Sequence, residues 1–184
     1  MRSWRARDPA ARLAHAWVEY ERISVHLKRA VVAAEDAKFM DHDGFDWEAI
    51  SRAMEKNERR GRIVAGASTI SQQLAKNLFL SGERSWVRKA QEAAITAMLE
   101  TAMPKRRILE LYLNVAEWGE GVFGAEAAAR HHFATSAAAL TPEQAAYLAA
   151  ILPAPRRYAR GRLTPYIAER RAAILARMPA ARIP

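Results

Sequence analysis

Glu35, Asp36, Asp41, His42 and Asp43 fall within nine positions of the stretch "VVAAEDAKFMDHDG", around Phe39 and directly after an apolar run. On a helix, Val31, Val32 and Ala34 turn towards packing neighbours, which sets Glu35 at the seam between an apolar interior and a polar turn. A carboxyl partly desolvated at such a seam has its pKa raised, which suits a group that takes and returns a proton near neutral pH. The competing reading is an exposed Glu35–Asp36 pair matched by Lys38 or Arg29. Asp41, His42 and Asp43 are metal-ligand types, but adjacent residues rarely converge on one ion, and Asp43-Gly44 reads as a turn.

A second polar set lies in "GASTISQQLAKN". At helical spacing Ile70, Leu74 and Leu78 stack on one side, leaving Gln72, Gln73 and Lys76 on the other. Two amides and an ammonium make a donor-rich surface for a polyol or a phosphate. The free N–H groups of a helix start at Ser68-Thr69 favour an anion as well. An ordinary solvated face is the plainer alternative. In "ERSWVRKAQEAAITAMLE", Arg84, Arg88 and Lys89 precede Glu92. Arg88 and Glu92 are four apart, a pairing worth on the order of a few tenths of a kcal/mol. Glu92 then points into an alanine-lined helix face, with cations beside it to keep it ionised.

The elements that must hold these groups read as helices. Asp46 caps "WEAISRAM", with Ile50 and Met54 on one stripe, and "EKNERRGRIVAG" then breaks the pattern as an exposed, mobile connection. Ser68 opens "STISQQLAKNLFL". "SWVRKAQEAAITAMLETAM" is a long helix ended by Pro104, which takes the first position of "PKRRILELYLN". "AEWGEGVFG" reads as a glycine-punctuated loop and "AEAAARHHF" as a helix. Thr141-Pro142-Glu143-Gln144 is a capping box, and Thr164-Pro165 starts a last helix running to about Met178. With no strand ladder in view, the fold class is mainly α.

Composition bounds the rest. The 184 residues, 51% hydrophobic, bury a core as one domain with room for a small lobe. The absence of cysteine excludes a disulfide framework and a thiolate metal site. A formal charge of +9 concentrates anions at the surface: nucleic acid, anionic lipid or a phosphate-bearing substrate. No window of about 18 apolar residues offers a spanning helix. The start, "MRSWRARDPAARLAHAWVEYERI", lacks the apolar stretch of a signal peptide; its Trp and Arg suit either a juxtamembrane segment or a frayed amphipathic end.

Taken in order, "EDAKFMDHDG", "GASTISQQLAKN", "RKAQE", "ILELYLN" and "GVFGAEAAARHHF" resemble the five motifs of the family 51 glycosyltransferases, the peptidoglycan glycosyltransferases. The likeness covers roughly residues 24–178, and "NVAEWGEGVFGAEAA" is similar to the family's monofunctional Gram-negative subgroup. Residues 1–23 then read as a juxtamembrane remnant and 24–184 as the glycosyltransferase domain. The resemblance implies a lysozyme-like head with a smaller, membrane-proximal jaw lobe. It implies polymerisation of lipid II into β-1,4 glycan with inversion and release of undecaprenyl pyrophosphate. By motif match Glu35 is the general base and Glu92 the second essential glutamate, which would orient cations, help bind a divalent metal or assist leaving-group departure. Asp36, Phe39, His42, Ser68, Thr69, Gln72, Gln73, Lys76, Asn77, Arg84, Arg88 and Lys89 fall at substrate-binding positions, with Lys76, Arg84 and Lys89 around the pyrophosphate. Ser71 stands where the family often has threonine.

No metal site is certain, although Mg²⁺ or Mn²⁺ at the pyrophosphate fits the chemistry. The implied partners are lipid II and the growing strand, a membrane surface and cell-wall synthesis or division proteins, with no nucleic acid. The implied location is the periplasmic face of the bacterial inner membrane, and the family's usual anchor helix is not among these residues. Two rival classes remain at this stage. A lysozyme-like hydrolase or lytic transglycosylase would cleave glycan and have little use for "STISQQLAK" with its cationic partners. A non-catalytic module would bind anionic surfaces with steep salt dependence and be indifferent to Glu35.

Overall fold

Serine, aspartate and threonine caps decide where most of the helices begin. The computed structural model describes residues 13–62, 64, 66–80, 85–158 and 164–184. Ser24 accepts from the His26 N–H and opens α1 (Val25–Glu35), whose Leu27, Ala30, Val31 and Val32 are buried. Thr141 forms the expected capping box with Gln144, with Pro142 at the first turn of α7 (Pro142–Ile151). A single turn, α8 (Pro155–Tyr158), follows, and Thr164 caps α9 (Pro165–Arg177). Helices α1, α7 and α9 pack on one another as the centre of the head. The small buried Ala145, Ala146, Ala149 and Ala150 of α7 let its backbone approach closely.

A second group carries the polar motifs. Here α3 (Ile70–Phe79) packs on both α4 (Trp86–Ala102) and α5 (Lys105–Val115). Pro104 stands as the N-cap of α5, one place before the first helical position expected of it. Helix α2 (Trp47–Arg60) begins at Asp46, which accepts from the Ala49 N–H, and none of its residues is buried.

Three sequence expectations are corrected. Helix α2 runs through "EKNERR" to Gly61, because charged residues are good helix formers and Glu48–Arg52 and Glu55–Arg59 pair one turn apart. The stop falls at Gly61, left-handed at φ 60°. The mobile connection was expected from Glu55 to Gly66, and two of its residues, Ile63 and Ala65, lie outside the described set. Secondly, Leu78 is exposed and Gln72 is buried, so the apolar stripe of α3 is Ile70, Leu74 and Ala75. Thirdly, "AEWGEGVFG" is a hairpin. Strands β2 (Glu117–Gly119) and β3 (Val122–Phe123) pair antiparallel, and β1 (Ala14–His15) lies parallel to β3. Strands of two or three residues are too short to show an alternating pattern, and a bulge between Glu117 and Gly119 obscures what there is.

The helix after this hairpin, α6 (Ala125–Phe133), starts at Gly124, whose φ is 85° and whose added Cβ would lie 2.8 Å from the Asn114 carbonyl oxygen. Asn114 is itself fully buried. Its side chain accepts from the Val18 N–H and donates to the Val18 and Glu110 carbonyls, each at 2.9 Å. An amide thus takes the part of a strand partner and ties Val18 and its neighbours, among them buried Tyr20 and Ile23, to the core.

Candidate active site

Glu35 is the last residue of α1, at the apolar–polar seam that the sequence predicts. Its side chain is 11% exposed and is held from two other helices. Gln73 Nε2 on α3 donates to Oε2 at 2.9 Å, and an Arg170 amino nitrogen on α9 donates to Oε1 at 3.1 Å. Neither Lys38 nor Arg29 is the partner; Lys38 pairs with Glu48 instead. An ionised carboxylate offers about four lone-pair sites, so two remain for an incoming hydroxyl.

The neighbouring motif residues form the frame of this group. Asp36, buried, accepts from the Ile70 N–H at 3.0 Å through Oδ2 and from His42 Nε2 at 2.9 Å through Oδ1. The His42 Nδ1 accepts from the Gly44 N–H at 3.1 Å, which puts the imidazole proton on Nε2. Thr69 Oγ1 donates to the Gly44 carbonyl at 2.7 Å, and Thr69 with Gln72 makes the capping box of α3. Phe39 is fully buried, with the Lys105 ammonium 4.7 Å from its ring centre. Asp36, Phe39, His42, Thr69 and Gln72 are therefore engaged inside the protein, locking the loop after Glu35 onto the start of α3. Ser68 is exposed, just outside that start.

Glu92 lies one layer further along. Its side chain is 4% exposed and is paired by its own helix: Lys89 with Oε1, and Arg88 with Oε2 at 3.4 Å. The Arg88 Nε is buried without a partner. Thr96, one turn on, donates to the Glu92 carbonyl at 2.7 Å. A Cβ placed on Gly44 would meet Thr96 Cγ2 at 2.8 Å, so the loop that holds His42 and Thr69 rests directly on the helix of Glu92. Gly44 has φ 91°, where a side chain is strained in any case.

Lys76 and Asn77 are exposed near the end of α3. Lys76 is three residues past Gln73 and so shares the face that meets Glu35. Arg84 lies outside the described residues. Among the described residues, no three His, Cys, Asp or Glu side chains group as a metal site.

Sequence reasoning missed four contributors. Arg170 stands 135 positions from Glu35, and no spacing rule joins them. Tyr112, in "ILELYLN", donates from its hydroxyl to Gln73 Oε1 at 2.9 Å. Glu100 accepts from the Ser71 hydroxyl and, at 2.8 Å, from Lys105, which also donates to the His42 carbonyl. The hydroxyl at position 71 thus serves the frame, and a signal for Glu100 existed only in its i,i+5 lysine across Pro104.

The family described as Transglycosylase matches residues 6–179, and the chain belongs to that family. It is 63% identical over 180 residues to the biosynthetic peptidoglycan transglycosylase of Dechloromonas aromatica (strain RCB), covering 98% of this chain and 78% of the relative. It is 61% identical over 178 residues to the protein of the same name from Azoarcus sp. (strain BH72), covering 97% and 77%. Against that of Nitrosospira multiformis it is 58% identical over 180 residues, covering 98% and 78%. The observed mainly α fold agrees with this membership.

Proposed function

We propose that this chain, a peptidoglycan glycosyltransferase by its family and its relatives, polymerises lipid II with Glu35 as the general base. The observation that carries the reading is a nearly buried carboxylate that holds two donors and keeps acceptor capacity, one of those donors being Gln73, which stands one turn from Lys76 on the same helix. The acceptor sugar's 4-hydroxyl gives its proton to Glu35 as its oxygen bonds to the donor's anomeric carbon. The anomeric C–O bond breaks on the opposite face, and its electron pair leaves with undecaprenyl pyrophosphate. The α-linked donor thereby becomes a β-1,4 link. A pyrophosphate leaving group needs positive charge rather than a proton, and Lys76, Lys89 and Arg84 fill that role in this reading. Both Glu92 oxygens already accept from Arg88 and Lys89, a donor set better suited to orienting these cations than to holding a divalent ion.

The location follows the substrate. Among the described residues no helix is long and apolar enough to cross a membrane. Yet α2, the end of α3 and the start of α4 expose Trp47 (71%), Met54, Phe79, Trp86 (91%) and Val87. Trp47, Ile50 and Met54 lie on one stripe of a helix that buries nothing. These faces support a jaw resting on the periplasmic leaflet of the inner membrane, where an undecaprenyl-linked substrate is held.

The test is lipid II polymerisation in detergent by the wild type and Glu35→Gln, with moenomycin as inhibitor. Polymer from the wild type alone, blocked by moenomycin, is expected. A folded wild type that makes no polymer but releases muropeptides from finished peptidoglycan would overturn the reading in favour of a lytic enzyme.

A further inference from the structure

The Gln73 amide has two ends, and only one suits an ionised neighbour. As placed, Nε2 donates to Glu35 while Oε1 accepts from the Tyr112 hydroxyl. In the flipped rotamer the amide oxygen would face a carboxylate oxygen, two acceptors in contact, and the phenol would lose its acceptor. Tyr112 is 1% exposed, on α5, with its hydroxyl on the far side of Gln73 from Glu35. Burial first, then the Glu35 and Asp36 carboxylates, hold this phenol well above its ordinary range, so it remains a neutral donor.

We propose that Tyr112 is a positioning residue for the Glu35 base, acting through Gln73: its hydroxyl fixes which end of the amide faces the carboxylate. The inference rests on reading Glu35 as the base. Among the described residues, the ionisable groups that interact with Glu35 or its amide partner are Arg170 from α9, Tyr112 from α5 and the adjacent Asp36, with Lys76 one turn along α3 from Gln73. Of these, Arg170 touches Glu35 directly, and Tyr112 reaches it through a neutral amide. A rigid phenol behind the amide makes the donor permanent. Without the hydroxyl, the amide is free to turn its oxygen towards Glu35 whenever the carboxyl is protonated. The protonated form, useless as a base, is then the one that gains.

The experiment uses Tyr112→Phe, which keeps the buried ring, together with Gln73→Ala and the double variant. Two readouts are taken: the ¹³C titration of the Glu35 carboxyl in labelled protein, and the pH profile of lipid II polymerisation. In Tyr112→Phe the Glu35 titration moves to higher pH than in the wild type. The acidic limb of the rate profile moves with it, so that turnover on the acid side of that limb falls about fivefold, the worth of one neutral hydrogen bond. In the Gln73→Ala background the second substitution moves neither, because the amide through which Tyr112 acts is gone. A Tyr112→Phe protein that is less stable but titrates Glu35 like the wild type would overturn the proposal. So would an equal shift in both backgrounds. The carboxyl titration needs no turnover, so it decides the coupling even where a wild type that makes no polymer has refuted the glycosyltransferase reading.

Discussion

Two glutamates, both nearly buried and both facing cations, are assembled in opposite ways. Glu92 takes its partners from its own helix, Arg88 and Lys89, four and three residues back. Glu35 takes Gln73 from 38 residues away and Arg170 from 135. The first arrangement exists wherever α4 is helical, whereas the second exists only when α1, α3 and α9 have come together. A local cluster suits a group that tunes the charge offered to an anion. As the proposed proton acceptor, Glu35 would have to meet a hydroxyl at a fixed angle, and a frame made from three helices fixes that angle better than neighbours on one helix face. This division of labour can be broken, beginning with the largest effect.

Replacing Glu35 by Gln is expected to lower lipid II polymerisation by about 10²–10⁴, while stability falls by about 1 kcal/mol, since a Gln oxygen still accepts from Arg170 but its amide nitrogen faces the Gln73 donor. Glu92→Gln is expected to cost less in rate and about 1 kcal/mol in stability, because Arg88 and Lys89 can turn their charges to water. Equal or greater rate loss at position 92 would reverse the assignment of roles.

Next comes the joint between the two sites. Gly44→Ala drives a methyl to 2.8 Å from Thr96 Cγ2 at a φ of 91°, and is expected to destabilise by about 2–3 kcal/mol in urea unfolding. Adding Thr96→Ser removes the struck methyl and should recover part of that loss, but not the backbone strain. No recovery would mean that the loop and α4 are not in the contact described.

The pattern of what the sequence disclosed follows the same local–distant division. Arg88–Glu92, the Thr141 capping box and the Glu35 seam were all legible because their causes lie within one or two helical turns. Gln72 was misplaced on the donor face because periodicity alone does not show that a capping side chain folds back onto its own N-terminus. Arg170 and Tyr112 left no trace at all: one arginine of eight near the C-terminus and a tyrosine in an apolar motif become site residues only through packing. The two-residue strands were invisible for want of length.

That argument sharpens into a comparison of two arginines. Arg170→Met keeps the aliphatic bulk and removes the cation from Glu35, which favours the protonated base. Polymerisation is expected to fall about tenfold on the acid side of the rate profile, with its acidic limb moving to higher pH. Arg88→Met should lower the rate while leaving that limb in place. A limb moved equally by both would show that the two glutamates share one electrostatic environment rather than two.

The smallest expected effect is on stability at Lys89, and it is informative because it is small. Lys89 pairs with Glu92 but is 46% exposed. Solvent therefore screens the pair, and Lys89→Ala should cost about 0.5 kcal/mol or less in unfolding, vanishing at high salt. If Lys89 serves only Glu92, polymerisation should follow stability and barely change. A cation aimed at a pyrophosphate predicts otherwise: turnover falls about tenfold or more, because charge develops on the leaving group in the transition state and not in folding. Parallel urea titrations and initial rates at low and high salt separate the two, since only the transition-state interaction survives as a rate defect when the surface pair has been screened away.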